Sequence, residues 1–106
     1  MVTKAKVQPG ACGFPVLITV ESISKKEIKV RLGSGCEMLQ KMNEGLTSLD
    51  WRKGIFGKVC DSLIYRLANA CISHVACPVP SAIIKAIEVE IGAAVPKDVT
   101  MSFSKE

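Results

Sequence analysis

Aromatic residues are scarce in this chain, since only 5% of its 106 residues are Phe, Trp or Tyr. The few rings are not interleaved with basic residues, so the sequence lacks the stacking platforms on which proteins hold nucleic-acid bases. The net charge is +4, but the basic residues cluster only around the segment Lys25 to Arg31 and are otherwise scattered among acids. We therefore expect a mildly basic, solvated surface and no nucleic-acid partner.

Long apolar runs are also missing. The longest, such as the segment from Phe14 to Val20, is far too short to span a bilayer, and the chain opens without an apolar export signal. We expect a single domain over residues 1–106, located in the reducing cytoplasm and without a membrane partner. The sequence does not indicate an oligomeric state.

Common enzyme signatures are absent. The glycines form no phosphate-binding loop, no dinucleotide fingerprint and no nucleophile elbow. Isolated carboxylates such as Glu37 and Asp50 are explained by helix capping. A hydrolytic enzyme is therefore disfavoured, and nothing in the sequence points to another enzyme class.

What is present predicts an α+β fold. Residues 14–22 are apolar and β-branched, residues 27–32 alternate polar and apolar, and Ser24 to Lys26 between them indicate a hairpin turn. Alternation over residues 99–103 predicts a short final strand. We expect a small antiparallel sheet, made of the N-terminal hairpin and this C-terminal strand, packed on one face against about four helices.

The helices are predicted from apolar spacing and capping residues. The first begins at the S-x-x-E sequence Ser34–Glu37, the second near Thr47, and the third at Asp61 or Ser62. The fourth spans about residues 78–93, with its two prolines in the first turn and with Lys85, Glu88 and Glu90 on its outer side.

Five cysteines are the most informative residues of the chain. Three of them fall at loop ends or helix starts: Cys12 before the first hairpin strand, Cys36 after the second, and Cys77 before the last helix. In a reducing compartment such thiols favour metal or redox chemistry over disulfides, and the odd number argues against a purely paired framework. Cys60 and Cys71 are predicted to pack in the core, with Cys71 as a spare ligand.

The predicted hairpin brings two of these thiols together. A turn centred near Ser24 and Lys25 places Cys12 nearly opposite Cys36, at the open end of the hairpin. Cys36 and Cys77 are also predicted at helix starts, where the helix dipole favours a thiolate. We expect Cys12, Cys36 and Cys77 to converge on one site, with His74 as a fourth metal ligand.

These residues resemble the U-type iron–sulfur cluster assembly scaffold family. That family has Cys-Gly-Asp at the start of a strand, Gly-Cys at a helix start, and His-Cys before a late helix. The corresponding segments here are Cys12-Gly13-Phe14, Gly35-Cys36 and His74-Val75-Ala76-Cys77. The resemblance covers about residues 11–90 and implies a scaffold-like α+β fold with a three-cysteine site. Phe14 stands where the family has its aspartate, and two residues separate His74 from Cys77. The whole chain also resembles small uncharacterised proteins of anaerobic microbes.

Three functions remain open at this stage. The first is binding of an iron–sulfur cluster or a metal such as zinc through Cys12, Cys36 and Cys77 with His74, and its partner is expected to be a sulfur donor or an acceptor apo-protein. The second is a thiol redox or sulfur-relay protein that cycles Cys12 and Cys36 between dithiol and disulfide. The third is a structural or interaction domain without a cofactor.

Overall fold

A four-stranded antiparallel sheet forms one layer of the protein, in a computed structural model that describes all 106 residues. The strands follow chain order across the sheet: β1 is Val2–Val7, β2 is Val16–Ser22, β3 is Glu27–Ser34 and β4 is Leu49–Asp50. Three helices complete the fold, with α1 at Glu37–Met42, α2 at Leu63–Cys71 and α3 at Val79–Glu90. The α+β class expected from the sequence is confirmed. None of the helices is long and apolar enough to cross a membrane.

The core lies between the sheet and the helices. Alternate residues of β2 and β3 are buried there, as the polar–apolar alternation of β3 predicts, and α3 packs across β1 and β2. Ile83 and Ile87 of α3 are fully buried, whereas Ile84 and Ile91 are only half-buried. The opposite face of the sheet is not covered by any helix.

The predicted hairpin is confirmed, but its register differs from the expected one. Val16 pairs with Ser34 and Ser22 with Ile28, so Cys12 is not opposite Cys36. The turn is held by the Ser24 hydroxyl, which accepts hydrogen bonds from two backbone N–H groups, and regular pairing ends at Val16. Both cysteines still emerge at the open end of the hairpin.

Two predicted elements do not form. The helix expected from Thr47 is replaced by the two-residue strand β4 and a series of turns, in which Gly54 and Gly57 have positive φ angles of 74° and 122°. The predicted strand at residues 99–103 is exposed chain without β-pairing, and none of the four strands of the sheet has it as a neighbour. The sheet instead gains β1, of whose inward residues Thr3 is polar and Ala5 is small, so that the segment has no clear strand pattern.

The helix starts differ in detail from the predicted caps. Cys36 is the N-cap residue of α1, and the Ser34 hydroxyl accepts a hydrogen bond from the Cys36 N–H at 3.1 Å instead of capping the helix. Ser62 is the N-cap of α2, as predicted, but its hydroxyl donates to the Ile55 carbonyl at 2.6 Å. The latter contact ties the loop after β4 to α2.

Candidate functional site

A pocket lies at the open end of the β2–β3 hairpin, where the segments before β2, after β3 and before α3 meet. Eight of its ten lining residues are hydrophobic. The lining comprises Pro9, Cys12, Phe14, Cys36, Met38, Leu39, Ile72, His74, Cys77 and Val79. Cys12, Cys36, Cys77 and His74, the four residues singled out from the sequence, therefore share one cavity.

Cys12 is presented by a tight turn between β1 and β2. The Gly13 N–H donates to the Gly10 carbonyl at 3.0 Å, which closes a four-residue turn with Cys12 at its third position. Gly10 and Gly13 have φ angles of 83° and 75°, a conformation that other residues adopt only with strain. The turn leaves Cys12 exposed at the mouth of the pocket.

Cys77 lies deeper than Cys12, in the segment that leads into α3. Burial raises the pKa of the Cys77 thiol, and the nearby Cys12 and Cys36 sulfurs raise it further, although the Val79 N–H hydrogen-bonds to the Cys77 sulfur and opposes this. The expectation that the helix start would favour a thiolate at Cys77 is therefore wrong in direction, because desolvation outweighs the N–H contact.

The remaining cysteines lie outside the pocket. Cys71 is half-buried and packs against the core at the end of α2, as predicted. Cys60 is exposed in a short 3-10 turn, so its predicted place in the core is wrong. Its apolar neighbour Val59 is exposed as well, so the local apolar context of Cys60 does not indicate burial.

Met38 also lines the pocket, although no feature of the sequence marks it as a site residue. Its helical spacing with Leu39 and Met42 is typical of a core position, but its side chain is only half-buried and lines the cavity. The Met38 sulfur accepts hydrogen bonds from the N–H and the hydroxyl of Ser73, both at 3.4 Å. This contact joins α1 to the segment that carries His74.

Phe14 forms part of the apolar wall of the pocket. Its ring passes over Gly35, where an added Cβ would lie 3.3 Å from the ring carbon Cδ1, so a larger residue at position 35 would push the ring away. The side chain is nevertheless 47% exposed and stands at the pocket mouth beside Cys12. An aromatic ring therefore faces solvent at this position, where the U-type scaffold family has a carboxylate.

The donor atoms are gathered but do not form a ready-made metal centre. No three His, Cys, Asp or Glu side chains lie close enough together to coordinate an ion in the observed conformation. All five cysteines are free thiols. The chemistry of the pocket is thus that of three thiols, one imidazole and one thioether in an apolar cavity.

Comparison with known proteins places the chain in a family without an assigned activity. The family profile, described as a family of unknown function (DUF6951), matches residues 3–103. No curated protein and no solved structure matches the chain.

Proposed function

Because the chain belongs to DUF6951, a family of unknown function, we propose a function from the pocket: it binds an iron–sulfur cluster or a zinc ion through Cys12, Cys36 and Cys77. His74 is the fourth ligand. The observation that carries the proposal is that these four side chains, from three separate segments, line one apolar pocket.

The donor set fits such a group chemically. Thiolates are the ligands of iron–sulfur clusters and, with imidazole, of zinc, and the apolar wall limits the access of water to them. The resemblance to U-type scaffold proteins supports the same assignment. Binding requires the sulfurs to approach one another, and Cys12, Cys77 and His74 all lie in loops outside the helices and strands. The protein then serves as a holder for the group, with a sulfur donor or an acceptor apo-protein as its partner.

The role of each residue follows from its place. Cys36 is the N-cap residue of α1, so it is attached to a packed element and supplies a fixed ligand, whereas Cys77 and His74 lie in the loop between α2 and α3 and can approach it. Cys12 sits in an exposed turn and closes the site. When bound, the group supplies redox or Lewis-acid chemistry, while the protein supplies the thiolates and excludes water with Phe14.

The test is metal and sulfide analysis, with a visible absorption spectrum, of protein purified without oxygen. We expect near-stoichiometric iron and sulfide, or zinc, in the wild type. Cys36→Ser should reduce retention by about tenfold or more, because serine lacks the soft, readily ionised sulfur. The matched control is Cys60→Ser, which changes an exposed cysteine outside the pocket and should retain the group.

If the Cys36→Ser and Cys60→Ser variants retain the same amount of metal or cluster, Cys36 is not a ligand. A protein without metal that forms a reversible Cys12–Cys36 disulfide would favour the thiol redox alternative instead. If the protein holds no metal and shows no reversible oxidation, the remaining function is that of a structural or interaction domain without a cofactor.

A further inference from the structure

The face of the sheet that the helices leave open carries a group of exposed basic residues. Their role does not depend on what binds in the sulfur pocket, the pocket lined by Cys12, Cys36 and Cys77. We call the side chains of β1, β2 and β3 that point away from the helices the outer face. The strand register arranges nine positions of this face, one of them a glycine, in three rows across the sheet. From the pocket end, the rows are Lys6–Leu17–Gly33, Lys4–Thr19–Arg31 and Val2–Glu21–Lys29.

Positive charge is concentrated in the two rows nearest the sulfur pocket. Lys4, Lys6 and Arg31 are exposed there, and neither row contains a carboxylate. Glu21 stands only in the third row, opposite Lys29. The single ion pair of the protein is Arg52–Asp50, so no cation of the outer face is neutralised by an ion pair.

The spacing of these charges suits an extended anionic segment. Neighbouring strands are about 4.8 Å apart and alternate residues on a strand about 7 Å apart. Lys4 and Lys6 on β1 and Arg31 on β3 therefore flank β2 from both sides, across about 10 Å. A chain running along β2 would place its carboxylates between them.

An apolar depression lies at the centre of this cationic end. Leu17 is 38% exposed, and Gly33 beside it has no side chain, which leaves space next to Leu17. The depression is open to solvent, measures about 280 Å³ and lies where β1 ends and β2 begins; its lining comprises Lys6, Val7, Gln8, Pro15, Val16, Leu17 and Gly33. An apolar centre within a charged rim is the usual anatomy of a protein interface.

We infer that the outer face docks an acidic segment of another protein, with one of its apolar side chains in the depression beside Leu17. Charge complementarity selects the acidic partner, and the depression selects the apolar anchor. A nucleic acid fits the site less well, because none of the nine positions holds an aromatic residue and bases would find no ring to stack on. The docked segment would end next to the turn that presents Cys12, since Lys6 is three residues from the pocket residue Pro9.

The experiment titrates isotope-labelled protein with a synthetic peptide of glutamates around one central leucine, followed by NMR. We expect saturable shifts of the amides of Lys4, Lys6, Leu17 and Arg31. The doubly substituted variant Lys6→Glu/Arg31→Glu should weaken binding by about tenfold or more, as reversed charges at an interface do. Raising the ionic strength from about 0.1 M to about 1 M should weaken it as well, because the Debye length falls from about 10 Å to about 3 Å.

Two controls separate docking from nonspecific attraction. Lys58→Glu/Lys85→Glu makes the same change in net charge at exposed positions away from the outer face, in the loop before α2 and on α3, and should bind like the wild type. A peptide with serine in place of leucine should bind more weakly, because it leaves the depression empty. The spectrum of each variant shows whether it is folded.

Three results would overturn the inference: no saturable shift on the outer face, equal loss in both charge-reversed variants, or tighter binding of a single-stranded oligonucleotide than of the peptide. None of them bears on metal retention by the sulfur pocket, so the two proposals fail separately.

Discussion

Glu90 is buried, although the sequence predicts that it is exposed on α3. The helical pattern of α3 puts it on the outer side, but it is only 6% exposed and reaches β1 and β2. Its carboxylate accepts hydrogen bonds from the Thr3 hydroxyl at 2.7 Å and from both the N–H and the hydroxyl of Ser22. Burial opposes its ionisation, but the hydrogen bonds from Ser22 and Thr3, together with the N-terminal ammonium, hold its pKa below the ordinary 4.5.

We predict that Glu90→Gln lowers the free energy of unfolding by about 1–3 kcal/mol at neutral pH, since hydrogen bonds to a charged group are replaced by weaker ones. A carboxyl group whose pKa is lowered in the folded state stabilises it above the ordinary value of 4.5. That contribution is lost as the pH falls below 4.5 and through the folded-state pKa. Denaturant unfolding from pH 7 to acid should therefore show the wild-type advantage shrinking. An advantage that stayed constant with pH would contradict this role of the charge.

At the scale of elements, most of the free edge of β3 is hydrogen-bonded by a loop backbone and a side chain and not by a strand. The strand β4 covers only Glu27 and Ile28, and the Val30 N–H donates to the Leu46 carbonyl at 3.0 Å. Further along, the Asn43 side chain accepts from the Leu32 N–H at 2.8 Å and donates to the Leu32 carbonyl at 2.9 Å. Asn43 thus replaces a paired residue beside β3 at the end of α1.

We predict that Asn43→Ala destabilises the protein by about 1–3 kcal/mol, because it leaves the N–H and the carbonyl of the buried Leu32 without partners. Chemical denaturation measures the difference. Glu44→Ala is the matched control at an exposed neighbouring position and should cost less than about 0.5 kcal/mol. If the two substitutions cost the same, the side-chain pairing does not support the sheet edge.

For the whole molecule, the C-terminal segment contributes length but little packing. The last backbone hydrogen bonds of the chain run from Ala93 and Ala94 to the Glu88 carbonyl, and every residue from Gly92 onward is exposed. Val99, Met101 and Phe103 alternate as in a strand but contact no sheet. A strand is stable only with a neighbour that satisfies its backbone groups.

We predict that removing residues 95–106 changes the free energy of unfolding by less than about 0.5 kcal/mol, as expected for exposed chain without packed contacts. Removing residues 1–7 provides the contrast, since it deletes β1 and the Thr3 contact to Glu90 and should abolish or strongly weaken cooperative unfolding. Thermal and denaturant unfolding of both truncated proteins decides the point. A large loss on removing the C-terminal segment would mean that it packs on the fold.

The elements that could be predicted are those in which local pattern and tertiary environment agree. The alternation in β3 and the apolar run in β2 identify the hairpin, and the spacing of Ile83 and Ile87 after two prolines identifies α3. The sequence does not predict β1, because its inward side chains Thr3 and Ala5 differ little in polarity pattern from the lysines between them. The helix predicted after Thr47 fails because Gly54 and Gly57 adopt turn conformations there.

The sequence by itself determined the α+β class and the position of each candidate cysteine ligand in a loop or at a helix start. Chain order alone carries Cys12, Cys36 and Cys77 to loop ends, because strands and helices end where their periodic patterns end. Only the tertiary structure decided that the three thiols share a pocket with His74 and Met38, that Cys60 is exposed, and that Lys4, Lys6 and Arg31 lie together on an open face. These outcomes depend on strand register and on contacts between distant segments, which local patterns do not encode.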